Sequence, residues 1–259
     1  MVDFWLMADS STVRDLEAFP LNCDRSGWIV PRNLTSSFAA SAKWNKFQGE
    51  LSAPNRAPSE RLKRSFDVAA AAAILMMFLP LFVFICCVLM LQGRPLLIRH
   101  RRVGRGGGTF PCLKFRTMVV DAEAVLQRHL AEDPAARAEW HSSHKLKNDP
   151  RVTALGRVLR KTSIDELPQL INVLRGEMSL VGPRPIVPAE VIHYGVHIER
   201  YHEVRPGLTG AWQVSGRSNV SYNQRVALDC DYVAGRSFGR DLGILVMTIP
   251  AVLKSKGSY

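Results

Sequence analysis

The sequence predicts an α/β, mainly helical, monotopic membrane protein with a re-entrant, proline-broken membrane helix, amphipathic interfacial helices and a small β-hairpin. Three observations support this fold class. An uncharged apolar run covers Val68–Leu91 and contains Pro80 near its middle. Basic residues flank the run on both sides. The chain beyond the run combines two short strand-like segments with several stretches of amphipathic helical period.

The apolar run is long enough to cross a bilayer, but its proline argues against a straight span. A helix of its 24 residues would reach ~36 Å, and a hydrocarbon core is ~30 Å thick. Pro80 removes one backbone hydrogen bond and divides the run into halves of only ~17 Å. Because cations flank both ends, the positive-inside rule places both ends in the cytoplasm. The flanking cations are Arg61, Lys63 and Arg64 before the run, and Arg94, Arg99, Arg101 and Arg102 after it. A hairpin that enters and leaves by the same leaflet satisfies both observations, and a proline-containing spanning helix is the alternative.

The organisation along the chain follows from this segment. Residues 1–60 show no sustained period and are expected to form a variable, largely disordered arm. Residues 61–94 form the re-entrant hairpin, and residues 95–259 form one folded domain. That domain begins with two strands within Leu96–Met118, joined by a glycine-rich turn.

Amphipathic periods and turn residues predict the rest of the domain. The predicted helices are Asp121–Trp140 with a break at Pro134, Leu155–Lys161, a helix carrying Leu167, Leu170, Ile171 and Leu174, Tyr222–Val233 and Asp241–Leu253. Proline- and glycine-rich loops are predicted at Val181–Pro188 and Arg205–Gly210.

Charge and cysteine content restrict the class of protein. The 259 residues carry a formal net charge of +11, which predicts an anionic partner such as nucleic acid, anionic lipid or a phosphorylated substrate. The five cysteines form no C-x-x-C pair, which argues against a disulfide framework or a zinc site and indicates a reducing compartment. No cleaved export signal is visible at the N-terminus.

An acidic pair, Asp165 and Glu166, stands out in a basic neighbourhood. From Lys145 to Lys161 the chain has six Lys or Arg residues and one acid. Cations of this kind can hold a phosphate, while the carboxylates hold a divalent metal or attack phosphorus. The alternative is a helix cap, either a capping box from Ser163 to Glu166 or an N-cap at Asp165, and spacing alone favours the cap. The two roles are compatible, since a helix N-terminus also binds phosphate.

Other cations could complete such a site. Lys114 and Arg116 occupy alternate positions of a strand, so they share one face and could present two cations to a diphosphate. The alternative is a basic belt that grips anionic lipid beside the membrane segment. Arg184 is held between Pro183 and Pro185 as a rigidly presented guanidinium, or as part of a structural loop with an ion pair.

A second acidic motif, Asp229-Cys230-Asp231, spells D-x-D. In many glycosyltransferases this motif carries a metal and a nucleotide sugar. On a helix, however, positions i and i+2 point in different directions, which disfavours a shared site.

At this point the residues resemble a known family over roughly residues 61–259. The matching segments, in chain order, are Lys63–Val68, the broken apolar run, Cys112–Met118, Asn148–Thr153, Leu159–Pro185, Arg205–Arg217 and Leu228–Val233. Together they resemble the monotopic polyprenyl-phosphate phosphoglycosyl transferases, also called bacterial sugar transferases. The closing segment TIPAVLKSKGSY is most similar to the branch that begins rhizobial exopolysaccharides.

The resemblance implies a function and a mechanism. The enzyme would move a sugar-1-phosphate, galactose-1-phosphate in that branch, from a UDP-sugar to undecaprenyl phosphate and release UMP. Asp165 would attack the β-phosphorus and form a covalent phosphosugar intermediate. Glu166 would coordinate Mg²⁺ and the diphosphate. This is the first membrane step of exopolysaccharide synthesis.

The resemblance also implies the binding residues and the surroundings. Arg160 would bind phosphate with help from Lys114, while Pro183, Arg184 and Pro185 would line the nucleotide site. Residues 95–259 would be the catalytic domain on the cytoplasmic face of the bacterial inner membrane. The expected partners are the UDP-sugar, undecaprenyl phosphate and membrane lipids, with downstream glycosyltransferases as further candidates and no nucleic acid.

Two other functions remain as alternatives. A membrane-associated glycosyltransferase that uses the D-x-D motif would release UDP rather than UMP. A non-enzymatic basic membrane adaptor would bind anionic lipid or nucleic acid, and it would not depend on Asp165.

Overall fold

The computed structural model describes residues 60–143, 146–215 and 221–253 of the chain. The predicted N-terminal arm therefore lies outside the described residues, apart from Glu60. The described chain is mainly helical, with two small two-stranded sheets. This agrees with the predicted fold class at that level. The boundaries of the three predicted parts remain predictions.

The apolar run folds as two helices with a break where the proline predicts one. Helix α1 covers Glu60–Met77, and helix α2 covers Leu79–Leu91, bent by 62° from α1. Pro80 lies in the first turn of α2. Backbone N–H groups in the first turn have no acceptor within the helix, so proline removes no helical hydrogen bond there. Among the described helices, none is by itself long and apolar enough to cross a bilayer, but α1 and α2 together pass that test by length and composition.

Both ends of the bent pair are tied to the globular part. In α1, the buried Asp67 carboxylate accepts hydrogen bonds from Ser179 Oγ at 2.8 Å and from the Leu180 backbone N–H at 3.2 Å. In α2, Leu89 is buried in a cluster that includes Phe115. The bend itself is exposed, with Met76, Met77, Phe78, Leu79, Val83 and Phe84 between 38% and 74% accessible.

The predicted β-hairpin is confirmed. Strand β1 covers Leu97–Val103 and pairs antiparallel with β2, Thr109–Phe115. The turn contains Gly106 and Gly107 with φ angles of 71° and 81°, a backbone region in which glycine is favoured because it lacks a Cβ.

The helices that follow agree with the predicted pattern. Their bounds are Ala122–Glu132 for α3, Pro134–Ser143 for α4, Ala154–Thr162 for α5 and Gln169–Arg175 for α6. Helices α3 and α4 are separated at Pro134, as expected, and α5 is the short basic helix.

Two short strands were not predicted: one ends at the first residue of the predicted loop Val181–Pro188, and the other lies within the predicted loop Arg205–Gly210. Strand β3, Ser179–Val181, pairs in parallel with β4, Gly207–Thr209. Three-residue strands carry too little periodicity to be recognised, and their pairing joins segments far apart in the chain. The remaining elements are a 3₁₀ segment at Pro188–His197, α7 at Ile198–His202, α8 at Ala211–Ser215, α9 at Tyr222–Ala234 and α10 at Phe238–Leu253. Helix α10 begins three residues before the predicted start.

The main core lies between α1, α6, β3, α9 and α10. Its buried residues include Leu170, Val173, Leu180, Tyr232 and Ile244. The arrangement fixes α6, and with it the acidic pair at its entrance, against the hairpin that carries Lys114.

Candidate active site

The acidic pair lies in a sharp turn between two helices. Helix α5 ends at Thr162, and Ser163 takes a left-handed backbone conformation with φ of 58°. Ile164–Glu166 then forms a single 3₁₀ turn, and Pro168 precedes α6. Because the chain reverses at Ser163, both carboxyl groups are presented at the junction of α5 and α6.

Both capping interpretations of this segment are wrong. Ser163 makes no side-chain cap hydrogen bond, and the residue at the N-cap of α6 is Pro168, which has no side-chain acceptor. The carboxylates are therefore not consumed by helix termini. They remain available to the groups that face them.

Lys114 contacts both members of the pair. Its Nζ lies 2.6 Å from Glu166 Oε1 and 3.6 Å from Asp165 Oδ2. Lys114 is carried by β2, and Asn172 holds that strand to α6, because its Oδ1 accepts from the Leu113 N–H at 3.0 Å and its Nδ2 donates to Pro111 O at 2.8 Å. The fully buried Asn172 thereby fixes the distance between the ammonium and the acidic pair.

The pKa values of the two carboxyl groups shift in opposite directions. Burial raises the pKa of Asp165, and the neighbouring Glu166 charge adds to this, while Lys114 and Arg160 oppose it. Burial would also raise the pKa of Glu166, but Lys114 and Arg184 outweigh it and the pKa is lowered. The pair therefore consists of one more basic and one more acidic carboxyl group, a division that suits two different roles.

Arg160 approaches the pair from the last turn of α5. Its Nε donates to Thr117 Oγ1 at 2.9 Å. Burial lowers the pKa of Arg160, and the charges of Asp165 and Asp149 oppose that shift. Asp149 is itself held by bonds of 2.8 and 2.7 Å from the Arg151 guanidinium. A cation is thus fixed between two carboxylates, within the electrostatic range of Asp165.

The proline-flanked loop brings Arg184 to the same place. A cleft is lined by Lys114, Glu166, Arg184 and Pro185, among other residues. Arg184 is exposed in this cleft, and its guanidinium lies 5.5 Å from the centre of the buried Trp212 ring. Glu166 of the acidic pair and the exposed Arg184 guanidinium therefore line the same cleft.

Backbone contacts fix the loop that carries Arg184. The Gly207 N–H donates to Pro183 O at 2.8 Å, and the Val103 N–H donates to Ile186 O at 2.8 Å. Gly182 and Gly207 pack so closely that a Cβ on Gly207 would lie 2.1 Å from the Gly182 nitrogen. Glycine is required at this contact because any side chain would collide with the backbone.

The structure places Arg116 away from the pair. The chain leaves β2 after Phe115, and the buried Arg116 guanidinium donates from Nη2 to Leu89 O at 3.4 Å and to Gln92 O at 3.1 Å. It holds the end of α2 and does not share a diphosphate face with Lys114. Strand alternation predicted a shared face because it assumed that the strand continued through Arg116.

The D-x-D motif does not form a shared site. Asp229 is 1% exposed and accepts a 2.8 Å hydrogen bond from Tyr194 Oη, whereas Asp231 is half exposed and pairs with Arg240. Within the described residues no group of three or more His, Cys, Asp or Glu side chains could hold a metal. The alternative function based on this motif loses its structural basis.

Several residues of the site were missed or assigned differently from sequence. Thr117 and Asn172 carry no charge and have no motif of their own, so only their contacts identify them. Arg102 was counted among the membrane-flanking cations, but its Nη1 donates to Pro185 O at 3.3 Å and its side chain lines the cleft. Its position within β1, a strand rich in basic residues, was the one available signal.

Comparison with known proteins identifies relatives of this chain. Residues 58–255 match the family described as bacterial sugar transferase. The chain is 51% identical over 201 residues to the UDP-galactose-lipid carrier transferase of Erwinia amylovora, covering 78% of this chain and 42% of that protein. It is 50% identical over 201 residues to the undecaprenyl-phosphate galactose phosphotransferase of Salmonella typhimurium, with the same two shares.

A third relative is close to this chain in length. The exopolysaccharide production protein ExoY of Rhizobium meliloti is 52% identical over 198 residues, which cover 76% of this chain and 88% of that protein. By contrast, this chain spans less than half the length of the Erwinia and Salmonella relatives.

Proposed function

Because this chain belongs to the bacterial sugar transferase family, we propose that it transfers a sugar-1-phosphate from a UDP-sugar to undecaprenyl phosphate and releases UMP. The proposed sugar is galactose, the sugar in the names of the Erwinia and Salmonella relatives. The proposed pathway is exopolysaccharide synthesis, as in the name of the Rhizobium relative. The observation that carries the proposal is the acidic pair bridged by Lys114 in a cleft shared with Arg184.

In the first half-reaction, Asp165 is the nucleophile. One carboxylate oxygen forms a bond to the β-phosphorus of the UDP-sugar, and the bond from that phosphorus to the bridging oxygen breaks, so that UMP leaves with the electron pair. The product is an acyl phosphate, in which the sugar phosphate is joined to Asp165 as a mixed anhydride. Burial, which raises the pKa of this carboxyl, makes it the more basic and hence the more nucleophilic member of the pair.

In the second half-reaction, a phosphate oxygen of undecaprenyl phosphate attacks the same phosphorus. The aspartyl–phosphorus bond breaks, the carboxylate is restored, and the lipid diphosphate sugar forms. A covalent intermediate suits this chemistry because a water-soluble donor and a lipid acceptor can use one site in turn.

The cations stabilise the charge on the transferring phosphoryl group. Lys114 lies within reach of both carboxylates, and Arg160 lies in the electrostatic range of Asp165. Arg184, which also lines the cleft, would bind the nucleotide end of the donor. Preorganised cations of this kind stabilise a transition state whose charge spreads over phosphoryl oxygens.

We propose that Glu166 binds Mg²⁺. Its carboxylate lines the cleft, and its pKa is lowered, so it is ionised at neutral pH. Mg²⁺ is commonly held by one or two carboxylates together with substrate phosphates and waters. In this cleft Glu166 would supply the carboxylate, and the diphosphate of the donor would supply the phosphate oxygens. When bound, the ion would neutralise charge on the diphosphate.

The bent helix pair supports a re-entrant membrane segment. The ~15 Å of helix from Val68 to Met77 and the ~20 Å of α2, bent by 62°, extend ~30 Å from end to end, so the bend leaves no excess over the ~30 Å of a hydrocarbon core. Asp67 at one end and Leu89 at the other are both held by the same folded body. We therefore propose that both ends lie on the cytoplasmic side and that the acceptor phosphate meets the cleft at headgroup level.

A trapping experiment tests the function. The full chain in lipid is incubated with UDP-galactose labelled on the sugar and quenched in acid, and the nucleotide product is identified. We expect label on the protein and UMP in solution, with the label lost in Asp165→Asn. Release of UDP, or label that survives the substitution, would contradict the mechanism.

A further inference from the structure

The two residues that follow β2, Arg116 and Thr117, contact two different parts of the molecule; we call them the strand-exit link. Both are buried, at 4% and 5% exposure. Arg116 reaches the end of the membrane helix, and Thr117 reaches the helix that precedes the acidic pair. Neither lines the cleft.

Arg116 fixes the exit of the bent helix pair. Its Nη2 donates to Leu89 O and Gln92 O, and its backbone N–H donates to Leu96 O at 2.9 Å. Leu89 O already accepts from the Gln92 N–H at 3.1 Å, so the guanidinium gives it a second donor and also binds the carbonyl of the C-cap residue Gln92. The last turn of α2 and the following segment are thereby attached to one side chain.

Thr117 fixes both ends of α5. Its carbonyl accepts from the Thr153 N–H at 3.1 Å, at the start of that helix. Its Oγ1 accepts from Arg160 Nε at 2.9 Å, in the last turn. Gly156 lies so close that a Cβ there would be 2.0 Å from Thr117 O, so α5 rests directly on this residue.

We propose that Arg116 and Thr117 are positioning residues that make the placement of Arg160 depend on how the end of α2 is seated. This rests on the proposed function for the role of Arg160. The backbone between Arg116 and Thr117 is a single peptide unit, which is planar and cannot stretch. Because Arg116 and Thr117 are adjacent and both buried, we expect a displacement of the α2 end to shift the Thr117 hydroxyl that holds the Arg160 guanidinium.

Hydrogen exchange of the full chain in nanodiscs tests the link without relying on activity. Thr117→Val keeps the shape but removes the Oγ1 acceptor, so amides in the last turn of α5 should exchange ~10-fold faster while the end of α2 is unchanged. Arg116→Gln should speed exchange in both places. Faster exchange at α2 alone in Arg116→Gln, or no change at α5 in Thr117→Val, would overturn the proposal.

Conservative variants and kinetics separate positioning from loss of folding. Thr117→Ser keeps the hydroxyl acceptor, so it should keep most of the protection from exchange that Thr117→Val loses. Arg116→Lys keeps a donor, so it should keep most of the protection that Arg116→Gln loses. In UMP-release assays, Thr117→Val and Arg116→Gln should each lower kcat/KM ~10-fold, and the double variant should fall no further than the worse single, because both break one link. Multiplicative losses would contradict a shared link. If the wild type releases no UMP from any UDP-sugar, the proposed function fails, while the exchange pattern still decides on the link.

Discussion

Asp165–Glu166 and Asp229–Asp231 are both short acidic motifs in a basic chain, yet the fold gives them opposite surroundings. The first pair meets a single ammonium, Lys114, at the wall of a cleft. The second pair diverges, with Asp229 buried against Tyr194 and Asp231 half exposed. The difference teaches that the backbone beneath a motif decides whether its side chains can act together.

Helical geometry accounts for the contrast. Asp229 and Asp231 are two positions apart on α9, where i and i+2 side chains point to different sides. Asp165 and Glu166 are adjacent in one 3₁₀ turn that follows a left-handed residue, and a long lysine on the facing strand reaches both. The two adjacent carboxylates can act together because Lys114, on a separate element, contacts both of them.

The largest effect is expected when the proposed nucleophile, Asp165, is removed. Asp165→Asn should lower UMP release on the order of 10⁴-fold or more, because the covalent step is lost. The matched change in the other motif, Asp231→Asn, should keep wild-type turnover. Equal losses in the two variants would erase the distinction between the motifs.

Removing the bridging cation should have the next largest effect. Lys114→Met leaves both carboxylates without their ammonium and removes one stabilising charge, so kcat/KM should fall ~10²-fold. Arg128→Met, an exposed cation on α3, serves as the control of equal charge change. The measurement is UMP release over a series of UDP-galactose concentrations. A normal kcat/KM in Lys114→Met would show that the adjacent Asp165 and Glu166 can act together without a bridging cation.

Asp229 should instead affect stability as a function of pH. Burial raises its pKa from 3.8 to about 7, so the folded state binds a proton more tightly than the unfolded chain does. The stabilisation that Asp229 contributes is then fully present below pH 3.8 and is lost as the pH rises towards about 7. Relative to Asp229→Asn, the wild type should lose roughly 4 kcal/mol across this window, since each pKa unit corresponds to ~1.4 kcal/mol.

The measurement is denaturant unfolding of both proteins between pH 4 and 8. Asparagine keeps an acceptor for Tyr194 but does not titrate, so the difference between the two curves isolates the carboxyl. A difference that does not vary with pH would contradict the assignment of the titration to Asp229.

The smallest effect is expected at Asp231. Its ion pair with Arg240 is half exposed on the carboxylate side, and such pairs contribute ~1 kcal/mol or less. Asp231→Asn should therefore change the free energy of unfolding by less than ~0.5 kcal/mol. A loss several times larger would show that the second motif is structural in both of its residues.

Local patterns predicted much of the fold, and long-range contacts explain the rest. The break at Pro80, the hairpin and the basic helix α5 follow from residues close together in the chain. The parallel pairing of β3 with β4 and the use of Arg116 at the end of α2 depend on partners 24 or more positions away. No periodicity encodes such partners.

The candidate site divides in the same way. Sequence placed Asp165, Glu166, Lys114, Arg160 and Arg184 together through family resemblance, and the structure brings Lys114 and Arg184 to the acidic pair. Their catalytic roles remain predictions. Asn172 and Thr117 could not be found from sequence, because an amide or hydroxyl acquires its role only from the backbone groups that surround it.

The close contact of Gly182 with Gly207 has a consequence for the order of synthesis. Gly207 follows Leu91 by 116 residues, so at ~5–20 residues per second the apolar run emerges roughly 6–23 s before Gly207, which lines the cleft. The loop that carries Arg184 cannot dock until Gly207 has been added. For the proposed enzyme, the apolar run is therefore synthesised before the cleft can close around a nucleotide sugar.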